Sequence, residues 1–232
     1  MPAELLEWDT AFFGFPIARV REPLLTPDAA LRLDAWCAAQ GVRCLYLLCR
    51  PDDPAAIRLA EQRGYHLVDL RVTLRWNAAA ALPNGLGPAR AATSEDLPAL
   101  QAIARESYHQ TRFFNDPGFP RDRVQALYET WIRRSVEGRA DAVLVAADEQ
   151  GVAGYVTCHR QGSRIGLLGV SSRSRGEGLG RTLVGRALEW FRSQAAPEVL
   201  VSTQGANLAA LRFYQRCGFS LHDLGLWYHK WY

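Results

Sequence analysis

Residues 164–217 read RIGLLGVSSRSRGEGLGRTLVGRALEWFRSQAAPEVLVSTQGANLAALRFYQRC, and the reading of this stretch decides the fold. Its first apolar run, 165–170, has the length of a buried strand. A polar, glycine-rich turn follows. Leu179, Leu183, Ala187, Leu188 and Phe191 then recur at the spacing of an amphipathic helix. A second apolar run at 199–201 predicts another strand, and a second helix begins at about Asn207. Strand, glycine turn, helix, strand and helix make a βαβα unit, with the turn placed where a helix N-terminus can meet an anion.

The turn carries Arg175, Gly176, Glu177, Gly178, Leu179, Gly180 and Arg181. Glycine bends without Cβ clashes and lets a ligand approach the backbone closely. The unpaired N–H groups of the first helical turn then face outward as donors for a pyrophosphate. Two other phosphate motifs are excluded. A P-loop would end Gly-Lys-Ser/Thr, whereas Gly180 is followed by Arg181 and Thr182. A dinucleotide fingerprint counted from Gly176 would need glycine where Arg181 stands. Alone, the pattern also fits an ordinary glycine-rich turn.

Asn207 and Tyr214 are seven residues apart, about two helical turns, and share one face of the second helix. Taken singly, Asn207 reads as an N-cap and Tyr214 as a half-buried aromatic with a wet hydroxyl. Together they gain weight, because their face begins beside the end of the 199–203 strand and next to the glycine turn.

Working outward, 232 residues with 48% hydrophobic content can bury a full core, in one large or two small domains. A net charge of +3 without a basic run argues against nucleic acid. Cys37, Cys44, Cys49, Cys158 and Cys217 show neither C-x-x-C pairing nor metal-ligand spacing. An odd cysteine count without a signal peptide predicts reduced thiols, a cytoplasmic protein and no metal. No apolar run approaches membrane-spanning length.

Near the N-terminus, Trp8, Phe12 and Phe13 surround Asp9 and Gly14, where aromatics either edge a ligand or plug the end of a sheet. Composition favours the plug. Residues 29–39 predict a helix and 44–49 a buried strand. A displacement of 154 positions lays 44–72 over 198–226 without a gap. Arg58, Gly64 and Asp69 then fall on Arg212, Gly218 and Asp223, but Ala60 falls on Tyr214. The expectation is a degenerate partial repeat in an α/β region at 1–77, without chemistry of its own, walling the acceptor site. Residues 78–88 (AAAALPNGLGP) read as a linker and 89–232 as the second domain. Within it, 124–136 predicts a helix, and 142–146 and 152–159 predict strands. The run 109–120 (HQTRFFNDPGFP) reads as a loop, either binding or pinned by its aromatics, and 219–223 with 226–231 as a closing antiparallel pair.

These residues resemble the GCN5-related N-acetyltransferases (GNAT). The family signature Gln/Arg-x-x-Gly-x-Gly/Ala is matched by Arg175, Gly178 and Gly180, and the run ALRFYQRCGF at 210–219 is typical of it. The resemblance implies an α/β fold with a mixed sheet and a splayed central parallel strand pair. It implies that the turn binds the pyrophosphate of acetyl-CoA, with the pantetheine arm between 167–171 and 199–203. Leu168, Gly169 and Val170 would face the thioester, Asn207 the arm, and Tyr214 would protonate the departing thiolate.

Within the family, the chain is similar to the nucleotide-sugar N-acetyltransferases that act on dTDP-4-amino-4,6-dideoxygalactose. The shared features are W-x-x-x-F-F-G at 8–14, Arg112-Phe113, I-G-L-L at 165–168 and T-Q-x-x-N-x-A-A-L at 203–211. This implies a small-molecule amine as partner, no nucleic acid or membrane, and a homodimer as one arrangement the likeness allows. Trp8, Phe13, Arg112 and Phe113 become the substrate-side candidates. His109, Asp116, His159 or a water chain stand as general bases, none supported by spacing. Another amine, such as a peptide N-terminus or an aminoglycoside, and a non-catalytic acetyl-CoA sensor are the alternatives. A covalent route through Cys217 or Cys158 is disfavoured, since an unpaired cysteine is usually a small core residue.

Overall fold

The computed structural model describes residues 2–21 and 25–232. The chain opens with β1 (Ala3–Leu5), α1 (Glu7–Phe13), β2 (Ile17–Val20), α2 (Pro27–Gln40), β3 (Cys44–Cys49), α3 (Pro54–Gln62) and β4 (His66–Asn77). Local chemistry sets the helix ends. The Thr26 hydroxyl accepts from the Ala29 N–H ahead of Pro27, and Gly41 closes α2 with φ 63°. Next come β5 (Arg90–Ala91), α4 (Leu97–Ser107), α5 (Arg112–Asn115), α6 (Arg121–Arg134), β6 (Ala142–Asp148) and β7 (Gly151–His159). The last elements are β8 (Arg164–Val170), α7 (Leu179–Ser193), β9 (Glu198–Gln204), α8 (Leu208–Arg216) and β10 (Ser220–Trp231).

These strands form one mixed sheet in the order β1-β2-β3-β10-β4-β9-β8-β7-β6-β5. β2 with β3 and β8 with β9 run parallel, and the other paired neighbours run antiparallel. β8 and β9 pair at Arg164–Leu200 and Ile165–Val201 and then diverge, so their C-terminal ends line an opening. This is the splayed parallel pair. Successive residues of β7 point to opposite faces, which separates two cores. Tyr155 packs with Leu100, Ile103, Leu127 and Ile132 of α4 and α6, while Val156 packs with Leu183, Leu188 and Phe191 of α7. A third core joins Leu33 and Cys37 of α2 and Ala60 of α3 to Leu45 and Leu47 of β3. The opening thus lies between an α4/α6 layer and an α7/α8 layer.

The displacement found in the sequence has a counterpart in the element bounds. α3 and α8 begin and end 154 positions apart, and so do β4 and β10. The caps agree as well: Asp53 accepts from the Ala56 N–H and Asn207 from the Ala210 N–H. The order β2-β3-β10-β4-β9-β8 reads the same from either end when β2, β3 and β4 exchange with β8, β9 and β10. Each half therefore lends its last strand to the other, and one sheet runs through both.

Residues 78–88 are strapped along α7. The Gly87 N–H donates to Thr182 Oγ1 at 3.1 Å, and the Arg186 guanidinium donates to the Leu86 and Gly87 carbonyls. Two sequence expectations are corrected. The closing pair at 219–223 and 226–231 is one continuous strand, β10. Gly225 makes no turn there; it pairs with Arg71 inside the strand, and Leu48 Cδ1 fills the space of the missing side chain, 2.7 Å from where a Cβ would stand. The 109–120 loop contains a short helix, α5, because the Thr111 hydroxyl caps it by accepting from the Phe114 N–H.

Candidate active site

Beyond β8 the chain turns through Gly176 (φ 88°) and Gly178 (φ 86°) into α7. A Cβ at either glycine would meet nothing within 4 Å, so backbone shape rather than crowding calls for glycine here. Gly178 caps α7 without a side chain, which leaves the N–H groups of Leu179, Gly180 and Arg181 as outward donors. At Gly180 an added Cβ would make ordinary van der Waals contact with the Phe213 ring at 3.4 Å, so α7 lies close against α8 there. Arg175 Nε donates to the Val170 carbonyl at 3.1 Å and its Nη2 to the Glu106 carbonyl at 3.4 Å. That guanidinium holds the turn against β8 and α4, while Glu177 and Arg181 are exposed at its mouth. Substituting Gly178→Ala forces a left-handed alanine, costing about 1–2 kcal/mol. It also sets a methyl group at the donor cradle. Where the turn holds acetyl-CoA, as the family resemblance implies, the expected result is a rise of about tenfold or more in KM for it, read by steady-state kinetics beside a modest fall in Tm.

The inner wall of the opening is β8. Leu167 donates its N–H to Thr157 Oγ1 at 2.8 Å, and Ser171 its N–H to the Ala153 carbonyl at 2.8 Å, both toward β7. Strand alternation then directs the N–H groups of Leu168 and Val170 into the splay. Gly169 lies flat on Tyr155, whose ring would be 2.8 Å from an added Cβ. Across the splay, Tyr214 of α8 is 5% exposed and packs edge-on against Phe213 and Phe219. Burial pushes its phenol well above the usual tyrosine range, so it keeps its proton. Asn207 uses its carboxamide oxygen as the α8 cap, at 3.1 Å from the Ala210 nitrogen. Cys217 and Cys158 are buried, and burial raises their thiols to about 11 and about 12. Neither is a ready nucleophile at neutral pH.

On the α4/α6 side, at the end of β9, lies a cavity of about 180 Å³. β4 contributes Asp69 and Arg71, the α5 segment Arg112 and Phe113, α6 Tyr128 and Trp131, β9 Ser202, Thr203 and Gln204, and β10 Trp227. In the sequence Asp69 stands out only as the repeat counterpart of Asp223 and not as a site residue, because no chemical motif surrounds it and its strand belongs to the half without a glycine turn. Burial raises its carboxyl to about 6, against a smaller opposing effect from Arg112. Arg112 lies with its guanidinium 4.2 Å from the Tyr46 ring centre, 4.2 Å from that of Trp227 and 4.5 Å from that of Phe113.

Of the four substrate-side residues read from the sequence, Arg112 and Phe113 line this cavity. Trp8 and Phe13 lie outside its lining, in the aromatic plug: Trp8 stacks on Phe12 at 4.9 Å and Phe13 on Phe113 at 5.5 Å. The base candidates lie elsewhere too. Asp116 is buried and already accepts from His229 Nδ1 at 2.6 Å, from Trp231 Nε1 at 3.0 Å and from the Gly118 N–H at 2.9 Å. His109 is exposed against Phe114, and His159 packs over Gly166.

A strand splay with a glycine-cradled helix start on one face and a carboxylate-lined cavity on the other invites comparison with known proteins. The acetyltransferase (GNAT) family model matches residues 98–219, more than half of the chain. The protein belongs to the GNAT family. The chain is 30% identical over 239 residues to a protein of Escherichia coli O6:H1 named dTDP-fucosamine acetyltransferase, covering 98% of this chain and 97% of that one. It is 29% identical over 138 residues to the spore coat polysaccharide biosynthesis protein SpsD of Bacillus subtilis, covering 59% of this chain and 48% of that one. Its fold is that of a GCN5-related N-acetyltransferase from Sphaerobacter thermophilus, with a TM-score of 0.69 at 18% identity over 99% of this chain and 76% of that one. As a GNAT protein it is an acetyl-CoA-dependent N-acetyltransferase, and the outward N–H groups of α7 with the open splay suit that co-substrate. No helix among the described residues is long and apolar enough to cross a membrane. Those residues contain no group of three or more His, Cys, Asp or Glu side chains placed to hold a metal ion.

Proposed function

We propose that this GNAT enzyme is cytoplasmic and transfers the acetyl group of acetyl-CoA to the 4-amino group of a dTDP-linked amino-deoxysugar. The observation that carries the reading is the cavity at the end of β9, where one carboxylate, two guanidinium groups and aromatic faces meet beside the splay. Such a lining suits an acceptor with an amine, anionic oxygens and a flat base. The likeness to the dTDP-fucosamine acetyltransferase adds support because it runs through both halves of the chain, including every strand that lines the cavity.

The positions of the groups support a direct transfer. Asp69, ionised above about pH 6, takes the proton that the amine loses as its nitrogen bonds to the acetyl carbon. The Leu168 and Val170 N–H groups hold the carbonyl oxygen as it gains negative charge. Tyr214 gives its proton to the sulfur as the carbon–sulfur bond breaks. A panel of acceptors with acetyl-CoA tests the substrate: the dTDP-linked 4-amino sugar, an amino-terminal peptide and an aminoglycoside. The reading expects kcat/KM for the nucleotide sugar to exceed the others by at least about a hundredfold. A peptide or aminoglycoside acetylated as well as the sugar overturns it.

A further inference from the structure

Arg112 is held in an unusual way for a half-buried cation. Tyr46 and Trp227 lie at equal distances over its guanidinium, and Phe113 crowds it from a third side. Its hydrogen-bond partner is not a carboxylate but an imidazole: Arg112 Nη1 faces His229 Nε2 at 3.4 Å. His229 is fully buried, stacks on Tyr46 at 4.6 Å and gives its Nδ1 hydrogen to Asp116. Burial holds His229 down at about 4, so it is neutral at physiological pH and its Nε2 is an acceptor for the Arg112 N–H. The Asp116 charge is thus bound to other donors and stands one ring away from Arg112. Asp9 and Asp69 feel the Arg112 charge, yet among the described residues no carboxylate comes within 4.0 Å of that guanidinium. The relay aims Arg112 without neutralising it.

A second guanidinium shares the cavity. Arg71 Nη2 pairs with Asp223 at 2.8 Å, but its Nε is buried with no partner among the described residues. A buried N–H without an acceptor carries a desolvation cost that a ligand oxygen would relieve. We propose that Arg112 and Arg71 form an anion subsite for a phosphate or diphosphate of the acceptor, and that the Asp116–His229 pair is the positioning device for Arg112. The acceptor class is then an amine that also carries phosphate, with Asp69 at the amine and the two guanidiniums at the oxyanion. The inference rests on the cavity being the acceptor site. It adds a discrimination, because a polycationic amine would meet Arg112 as a like charge.

The test uses the full chain saturated with coenzyme A, so that the α7 cradle is filled and added phosphate cannot bind there. Calorimetric titration with dTDP, inorganic pyrophosphate and thymidine then reads the subsite directly. dTDP is expected to bind at least about tenfold more tightly than thymidine, as charge-assisted pairing requires. Arg112→Gln and Arg71→Gln should each raise the dTDP Kd by about tenfold, with the coenzyme A Kd unchanged. His229→Phe keeps a ring against Tyr46 but removes the acceptor nitrogen; it should weaken dTDP several-fold while leaving thymidine and coenzyme A alone. Should that buried substitution lower Tm, the half-exposed Arg71→Gln still decides the matter. Equal affinities for dTDP and thymidine, or a dTDP Kd within twofold of wild type in both arginine variants, overturn the subsite. That failure is separable from failure of the proposed reaction, since transfer to a phosphate-free amino sugar would persist.

Discussion

Tyr214→Phe is expected to lower kcat by about two to three orders of magnitude, the usual range for removing a positioned proton donor. The Kd for acetyl-CoA should stay unchanged. The ring of Tyr214 sits in a closed apolar site against Phe213 and Phe219, and phenylalanine fills the same volume. In the proposed reaction the hydroxyl serves the departing sulfur, so its loss should fall on the transition state and not on ground-state binding. Because burial drives this phenol upward, the wild-type enzyme should show no alkaline fall in rate near the ordinary tyrosine range. Single-turnover kinetics read the chemical step apart from product release. A variant that turns over at the wild-type rate would remove Tyr214 from the chemistry.

Asp69→Asn carries the other large effect. The wild-type rate should fall as the pH drops below about 6, because the carboxylate must be ionised to receive the proton of the amine. In the variant the limb near pH 6 should give way to one set by the amine's own ionisation, and kcat/KM at pH 7 should drop by about a hundredfold or more. The deficit should shrink toward high pH, where the amine sheds its proton to water unaided. Asparagine keeps the shape of the side chain, so the fold is preserved and Tm should change little. Persistence of the same acid limb in Asp69→Asn would assign the base to another group.

The sequence is legible where the residues concerned lie close together in the chain. The turn from Arg175 to Arg181, the Asn207 cap and Tyr214 all lie in one contiguous βαβα unit, so spacing alone places them together. Arg112 and Phe113 could be picked out because a run so aromatic and so irregular cannot be a solvated linker. Asp69 could not. It reaches the site on β4, a strand given by the half without a glycine turn, and only the sheet order brings it beside β9. The Asp116–His229 contact spans 113 positions and carries no local pattern at all. The misreading of β10 has a similar source. Gly225 looks like a break from within its own strand and is explained by Leu48, a neighbour far away in sequence.

The reciprocal placement of β4 and β10 has a consequence for how the protein is made. β4 emerges from the ribosome with no mate on either side, since β9 and β10 are both still to be synthesised. β3 waits equally long, for its missing neighbour is the strand ending at Trp231. Until β10 appears, the nascent chain carries open, apolar edges of the kind that chaperones shield and that otherwise aggregate. Loss of β10 would therefore unzip the Asp69–Trp227 cavity and the pairing of β3 and β4 together, making that one strand the latch of the sheet.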